Sequence, residues 1–242
     1  MTLRSIAIDW YYWLISSRYY VYMGISSNKI IISIILSGND YILPCLIELM
    51  YTILSEETKF SGSIFDVIQQ QVDVGGGHIK TFERAVRSPG TRLIIIDNNK
   101  ILLTKEYRME VWWYDYRLPG GKVFDRLDEY KEFLSSLQDI QLIAQAAALK
   151  EAKEEVWIYQ TDIDFFAVTH LAATIGRDLY YFVLTNSCIG EQWLESGEHI
   201  TYERYPVEQV VQMCFNGSMQ EERSCTILLR FLYQRELLSF IS

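Results

Sequence analysis

The chain has 242 residues and a mass of 28.4 kDa; half of it is apolar, 14% is aromatic, and 31 acidic against 22 basic side chains leave a formal charge of −9. That composition excludes wholesale disorder, and the length suits one large domain or two small ones. The acidic balance argues against general binding to nucleic acid backbones, while free nucleotides and metal ions remain open as partners.

Residues 1–54 stand apart. They hold 34 apolar residues, 12 of them Ile, and three acidic against three basic side chains, so the whole net charge lies in the remainder. This shift suggests a boundary near Ser55, with 1–54 an apolar N-terminal extension and 55–242 the main domain. The runs Ile30 to Leu36 and Tyr41 to Leu54 are both shorter than the roughly 20 residues that span a bilayer, and Ser37-Gly38-Asn39-Asp40 between them reads as a turn from a strand to a helix. No membrane span and no cleavable signal peptide are expected. Cys45, Cys188, Cys214 and Cys225 form no Cys-x-x-Cys pair, and read as reduced thiols of a cytoplasmic protein.

From Ser55 the alternation becomes clearer. Ile64 to Val74 and His78 to Val86 read as strands joined by Gly75-Gly76-Gly77, a hairpin turn without the lysine and spacing of a phosphate loop. Thr91 to Ile96 reads as a buried strand, Asp97-Asn98-Asn99 as a turn, and Lys100 to Tyr107 as the returning strand. The aromatic stretch Trp112 to Tyr116 leads into Leu118-Pro119-Gly120-Gly121, a loop whose backbone can approach another group closely. A polar stretch, Asp125 to Asp139, precedes the strongest helical pattern, Gln141 to Val156. On a helical wheel Leu142, Ala146, Leu149 and Val156 share one face, and Glu151, Glu154 and Glu155 the opposite one. Strands follow over Asp162 to Ala173 and Asp178 to Thr185, then helices over Val207 to Cys214 and Cys225 to Leu238.

Three carboxylates within one turn near a helix C-terminus repel one another and face an unfavourable dipole. A bound divalent cation resolves that conflict, since magnesium and manganese take carboxylate and carbonyl oxygens. The alternative is a solvated face neutralised by Lys150 and Lys153.

The loop Leu118-Pro119-Gly120-Gly121-Lys122-Val123 together with Ala148 to Ile158 resembles the Nudix box, in which a glycine and a glutamate precede Arg-Glu-aliphatic-x-Glu-Glu-x-Gly-aliphatic. Weaker similarity to the ADP-ribose pyrophosphatase branch runs through Phe82-Glu83, Ser88-Pro89-Gly90, Glu106-Tyr107-Arg108 and the stretch from Glu198 to Cys225, including a late acidic loop at Gly197 to Ile200. The departures are specific. From Gly121 to Lys150 is 29 positions where the family pattern has 14, so the first box glutamate has three candidates, Asp128, Glu129 and Glu132. Lys150 stands for the arginine, and Trp157 for the closing glycine. A bulky residue adopts a left-handed cap reluctantly, so the helix is expected to end by another route.

The resemblance implies an α/β (α+β) fold, a Nudix-type α/β/α sandwich with a mixed sheet. It implies hydrolysis of the pyrophosphate in a nucleoside diphosphate linked to another group X, with ADP-ribose or a nucleotide sugar as substrate. Mg2+ or Mn2+ would be held by Glu151, Glu154, Glu155 and the Gly120 carbonyl. Glu198 is the candidate general base, with Glu154 the second catalytic candidate, and Arg108 and Arg117 are candidates to clamp phosphates. Either arginine reads equally as a surface cation, and Trp112, Trp113 and Tyr114 as base-stacking, core or dimer-packing residues. His78, His170 and His199 are too scattered for a metal triad. The partners implied are a nucleotide-type small molecule and a second copy of the chain in a homodimer; residues 1–54 then pack on the domain or on that copy, unless they are foreign to the functional protein. The rival reading is a Nudix-like nucleotide-binding module that has lost turnover, motivated by Lys150, Trp157 and the unplaced glutamate.

Overall fold

A computed structural model describes residues 9–16, 19–26, 29–36, 42–48, 51–109, 112–136, 138–170, 174–189 and 200–238. The chain divides into two compact units, Met1–Lys59 with Ile68–Glu83, and Phe60–Val67 with Arg84–Ser242.

In the first unit β1 (Asp9–Ser16), β2 (Tyr19–Ser26), β3 (Lys29–Leu36) and β4 (Ile42–Glu48) form an antiparallel meander in sequence order. The helix expected from Tyr41 is instead strand β4, with Ile42 opposite Ile35 and Pro44 opposite Ser33. Proline inside a helix loses a hydrogen bond and clashes, at a cost of about 3 kcal/mol, whereas an outermost strand tolerates it. Next come β5 (Thr52–Ser61), β6 (Phe65–Asp73) and β7 (Ile79–Arg87). The triple glycine makes the expected hairpin between β6 and β7: all three have positive φ, and the Val74 amide donates to the His78 carbonyl at 2.9 Å. Beyond Arg84, in the second unit, the short β12 (Ile175–Gly176) pairs in parallel with the end of β7, Ile175 opposite Ala85 and Gly176 opposite Val86.

The second unit is built on a mixed sheet of β8 (Gly90–Asp97), β9 (Lys100–Arg108), β10 (Trp113–Arg117), β11 (Ile158–Thr169) and β13 (Leu179–Ile189), in the order β10-β9-β8-β13-β11, with β14 (Ile200–Pro206) also on β9. Only β8 and β13 run parallel among these pairs. Strand alternation divides its side chains between two cores. Leu93, Ile95, Leu102, Phe182 and Leu184 pack with helix α2 (Ile140–Val156). Ile94, Ile101, Leu103 and Val183 pack with α3 (Val207–Asn216) and α4 (Glu222–Gln234) through Val210, Leu228, Phe231 and Leu232. This is the expected α/β/α sandwich.

Three local features add to or depart from the expectations. The polar stretch after Asp125 contains α1 (Leu127–Leu134), whose start is fixed when the Glu129 carboxylate accepts from the Arg126 amide at 3.3 Å. Ile200, expected to close the late acidic loop, opens strand β14. Finally, α2 presents a different face to the sheet: Ala144, Ala148, Ala152 and Val156 are fully buried, while Leu142 is 63% and Leu149 38% exposed and Ala146 faces solvent. Small side chains at every fourth position let this helix approach the sheet closely, so size rather than hydrophobicity selects the inner face.

Trp157 overturns the expected helix end. It caps α2 in the left-handed conformation, φ 65° and ψ 30°, with its amide donating to the Ala152 carbonyl, and its side chain is completely buried. The left-handed conformation costs roughly 1–2 kcal/mol, and burial of so large a ring outweighs it. Trp157→Gly would relieve the backbone but empty the pocket, for a net destabilisation of about 2–4 kcal/mol in denaturant unfolding.

Candidate active site

The loop after β10 is tied to the start of β8. The Leu93 amide donates to the Pro119 carbonyl at 2.8 Å and the Thr91 amide to the Gly121 carbonyl at 3.0 Å. Gly120 has φ +140°, and a Cβ there would collide with the Thr91 carbonyl; one on Gly121 would collide with the Glu151 carboxylate. Both glycines are therefore required by close approach, the first to a strand and the second to a site side chain. The Gly120 amide donates to Glu155 Oε2 at 2.8 Å, so α2 is fastened to the loop through one of its own carboxylates.

Glu151 and Glu155 thus face the glycine loop together. Burial, then Glu154, pushes the Glu151 carboxyl up to about 7. Burial also lifts Glu155 to about 7, against the Gly120 amide, with Glu151 and Glu106 adding repulsion. Glu154 is adjacent but turned outward, exposed and 3.9 Å from Lys150. Among the described residues no three His, Cys, Asp or Glu side chains converge as a preformed cage. The two buried carboxylates nevertheless fit a hard cation: they are oxygen donors, burial and mutual repulsion make their negative charge costly without one, and the absent Cβ of Gly121 admits the Glu151 carboxylate to the loop. The Gly120 carbonyl accepts from Arg92 Nη1 at 3.1 Å and retains a second lone pair.

Other candidates separate. Asp128 pairs with Arg126, Glu129 caps α1 and Glu132 receives the Ser135 hydroxyl on its backbone carbonyl. The insertion acid beside the box helix is instead Asp125, 3.4 Å from Lys150 and close enough to raise the Glu151 carboxyl. Arg108 pairs with Glu106 at 2.7 Å, and Glu106 in turn acts on Glu155, so Arg108 lies on the site's side of β9. Arg117 turns to the fully buried Asp115, whose other oxygen accepts from the Gln220 amide. Trp112 and Trp113 are 72% and 67% exposed, which removes the core-packing reading. His170 pairs with Asp178 at 2.7 Å. Glu198 and His199 lie outside the described residues.

Sequence reasoning missed Arg92 and Glu221. Arg92 is buried in β8 and bonds Glu221 through both Nε, at 2.7 Å, and Nη2, at 2.8 Å, while its Nη1 reaches Gly120. Burial raises the Glu221 carboxyl, but Arg92 overcomes this and holds it at about 2. The available signal was a single arginine inside an otherwise apolar and β-branched strand. Gly121→Ala is expected to displace the Glu151 carboxylate while leaving the hydrogen bonds of the loop backbone intact: turnover falls by about 100-fold with little change in melting temperature, read by steady-state kinetics and thermal melts.

A family model for the NUDIX domain matches residues 86–223, which span the glycine loop, α2 and the Arg92–Glu221 pair. A search of curated proteins gives no match. Among solved structures, the crystal structure of an ADP compounds hydrolase superposes with a TM-score of 0.60 at 18% identity, covering 76% of this chain and 95% of that one. The glycine loop, the carboxylate-bearing helix behind it and a family match over more than half of the chain lead to one assignment: the chain belongs to the NUDIX domain family and is a Nudix pyrophosphohydrolase, of the class that hydrolyses nucleoside diphosphates linked to another group.

Proposed function

We propose that this enzyme hydrolyses the pyrophosphate bond of ADP-ribose or a nucleotide sugar in the presence of Mg2+ or Mn2+. The observation that carries the reading is the pair Glu151 and Glu155, buried against the glycine loop with their carboxyls raised to about 7. Nudix hydrolases generally use divalent metals, and the similar solved structure is that of a hydrolase of ADP compounds. When bound, the cation supplies Lewis acidity toward pyrophosphate oxygens and acidifies water. Glu151 and Glu155 would hold it, with the Gly120 carbonyl beside them and the outward Glu154 within reach of the same edge. The proton of the attacking water would pass to Glu198 or Glu154. Arg108, in exchanging Glu106 for a phosphate, would orient the substrate, and Arg117 would do so only by leaving Asp115.

A reducing cytoplasmic setting agrees with the free thiols of Cys214 and Cys225. Exposed Ile53, Leu54 and Phe60 on β5 agree with a homodimer. No described helix is long and apolar enough to cross a membrane.

The second reading, a binding module without turnover, is favoured by the engagement of Lys150 with Asp125 and Glu154. A panel of ADP-ribose, nucleotide sugars and dinucleotides, with and without Mg2+ or Mn2+ and with products identified by mass, separates the two. Metal-dependent release of a nucleoside monophosphate is the expected result; binding without hydrolysis of any member would leave only the second reading.

A further inference from the structure

Beside Gly90, next to the glycine loop, lies a second charged cluster that the proposed reaction does not use. Parallel pairing of Gly176 with Val86 brings Arg177 beside Arg87, and Arg223, in the first turn of α4, donates its Nη1 to the Arg177 carbonyl at 3.1 Å. Arg177 Nη2 packs on Gly90, 3.1 Å from where a Cβ would stand, and that same Cβ position is 3.0 Å from the Gly121 carbonyl. Arg177 Nη2 and the Gly121 carbonyl therefore flank the same point beside Gly90, and Arg177 is a neighbour of the glycine loop.

None of these three guanidiniums has an ion-pair partner among the described residues. The Nε atoms of Arg87 and Arg177 are buried and bonded to nothing. Burial, then Arg87 and Arg92, depresses Arg177 to about 10, and burial, then Arg223, depresses Arg87. The acid that acts on Arg177 is Glu221, and both of its oxygens are already bound to Arg92. Arg223 adds a cation at a helix N-terminus, where the dipole disfavours one. Half-buried, mutually repelling cations without a counter-charge form a site prepared for an anion, and planar guanidinium forks match a tetrahedral oxyanion by paired hydrogen bonds.

We propose that Arg87, Arg177 and Arg223 form a binding site for a phosphate dianion, carried either as a phosphate monoester on the X half of the substrate or as free orthophosphate. The site rests on the pyrophosphatase reading only for the first of these sources, and binding is read without turnover, so loss of hydrolysis and loss of this site are separate results.

The test is calorimetric titration of the full chain with inorganic phosphate at constant ionic strength, alongside melting curves in phosphate and in chloride. Saturable binding is expected in the wild type, weakened by about tenfold or more in Arg177→Leu and in Arg87→Leu and less in Arg177→Lys. Both leucine variants are also expected to melt higher than the wild type in chloride, because an uncompensated cation is removed; arginines that served only structure would lower it. If the variants raise KM for a substrate phosphorylated on X and not for its unphosphorylated counterpart, the phosphate belongs to the substrate; if phosphate binding is lost with both KM values unchanged, it is orthophosphate. No saturable heat in the wild type, or equal affinity in the wild type and the leucine variants, overturns the proposal. Should the variants not fold, the wild type alone decides, by whether its heat of phosphate binding saturates and sulfate at the same ionic strength competes for it.

Discussion

Glu155→Gln is expected to lower turnover by about 1,000-fold while making the metal-free protein more stable above neutral pH. The glutamine keeps an oxygen for the Gly120 amide, which donates to Glu155 at 2.8 Å in the wild type, so the loop stays fastened. It removes the charge that burial resists. Because the folded carboxyl titrates at about 7 against a reference of 4.5, the folded state holds a proton that the unfolded state has released. The associated stability is complete below 4.5 and disappears as pH rises through 7. The wild type should therefore lose on the order of 2 kcal/mol between pH 5 and pH 8, shared with Glu151, and the variant less. Metal opposes this loss, since it binds the deprotonated carboxylates and should restore wild-type stability at pH 8 but not that of the variant. Melting curves at both pH values with a chelator, then with excess Mg2+, check the stability effects. Full activity of the variant in saturating metal would end the assignment of Glu155 as a ligand.

Arg92→Met carries the second large effect, a loss of about 3–5 kcal/mol of folding stability. Its partner Glu221 is buried and held at about 2, where burial would otherwise raise it; the pair's contribution is present above 4.5 and falls away as pH drops toward 2. Removing the arginine strands that charge and also frees the Gly120 carbonyl. Arg92→Met with Glu221→Leu is expected to recover much of the loss, because an apolar pair of similar volume avoids the desolvation that the ion pair offsets. Denaturant unfolding of wild type, single and double variants at pH 7 checks this. A single variant within about 1 kcal/mol of wild type would show that the bidentate pair contributes only what an exposed one does.

Much of the site was legible because its signals are local. Acids at i, i+3 and i+4 lie within one turn of any helix, and Pro-Gly-Gly makes a loop that can approach another group wherever it stands. The hairpins over β6–β7 and β8–β9 were legible for the same reason, with Gly75-Gly76-Gly77 and Asn98-Asn99 supplying the positive φ values. The inner face of α2 was not, because a wheel ranks residues by hydrophobicity whereas the sheet selects Ala144, Ala148 and Ala152 by size. Trp157 misled for a related reason: a local penalty of roughly 1–2 kcal/mol says nothing about the buried pocket that outweighs it.

The residues themselves determined that this chain carries an acid-bearing helix and a glycine loop, since periodicity and turn chemistry act over a few neighbouring positions; the α/β/α sandwich was implied by the resemblance those residues carry. Tertiary packing determined which carboxylates are buried together, that Asp125 rather than Asp128, Glu129 or Glu132 stands beside them, and that Arg92 meets Glu221 across 129 positions of sequence. It also gathered Arg87, Arg177 and Arg223 from a strand end, the residue after a two-residue strand and a helix start. The physical reason is the range of the forces: backbone preference is local, whereas charge burial depends on whatever surface the rest of the fold brings alongside.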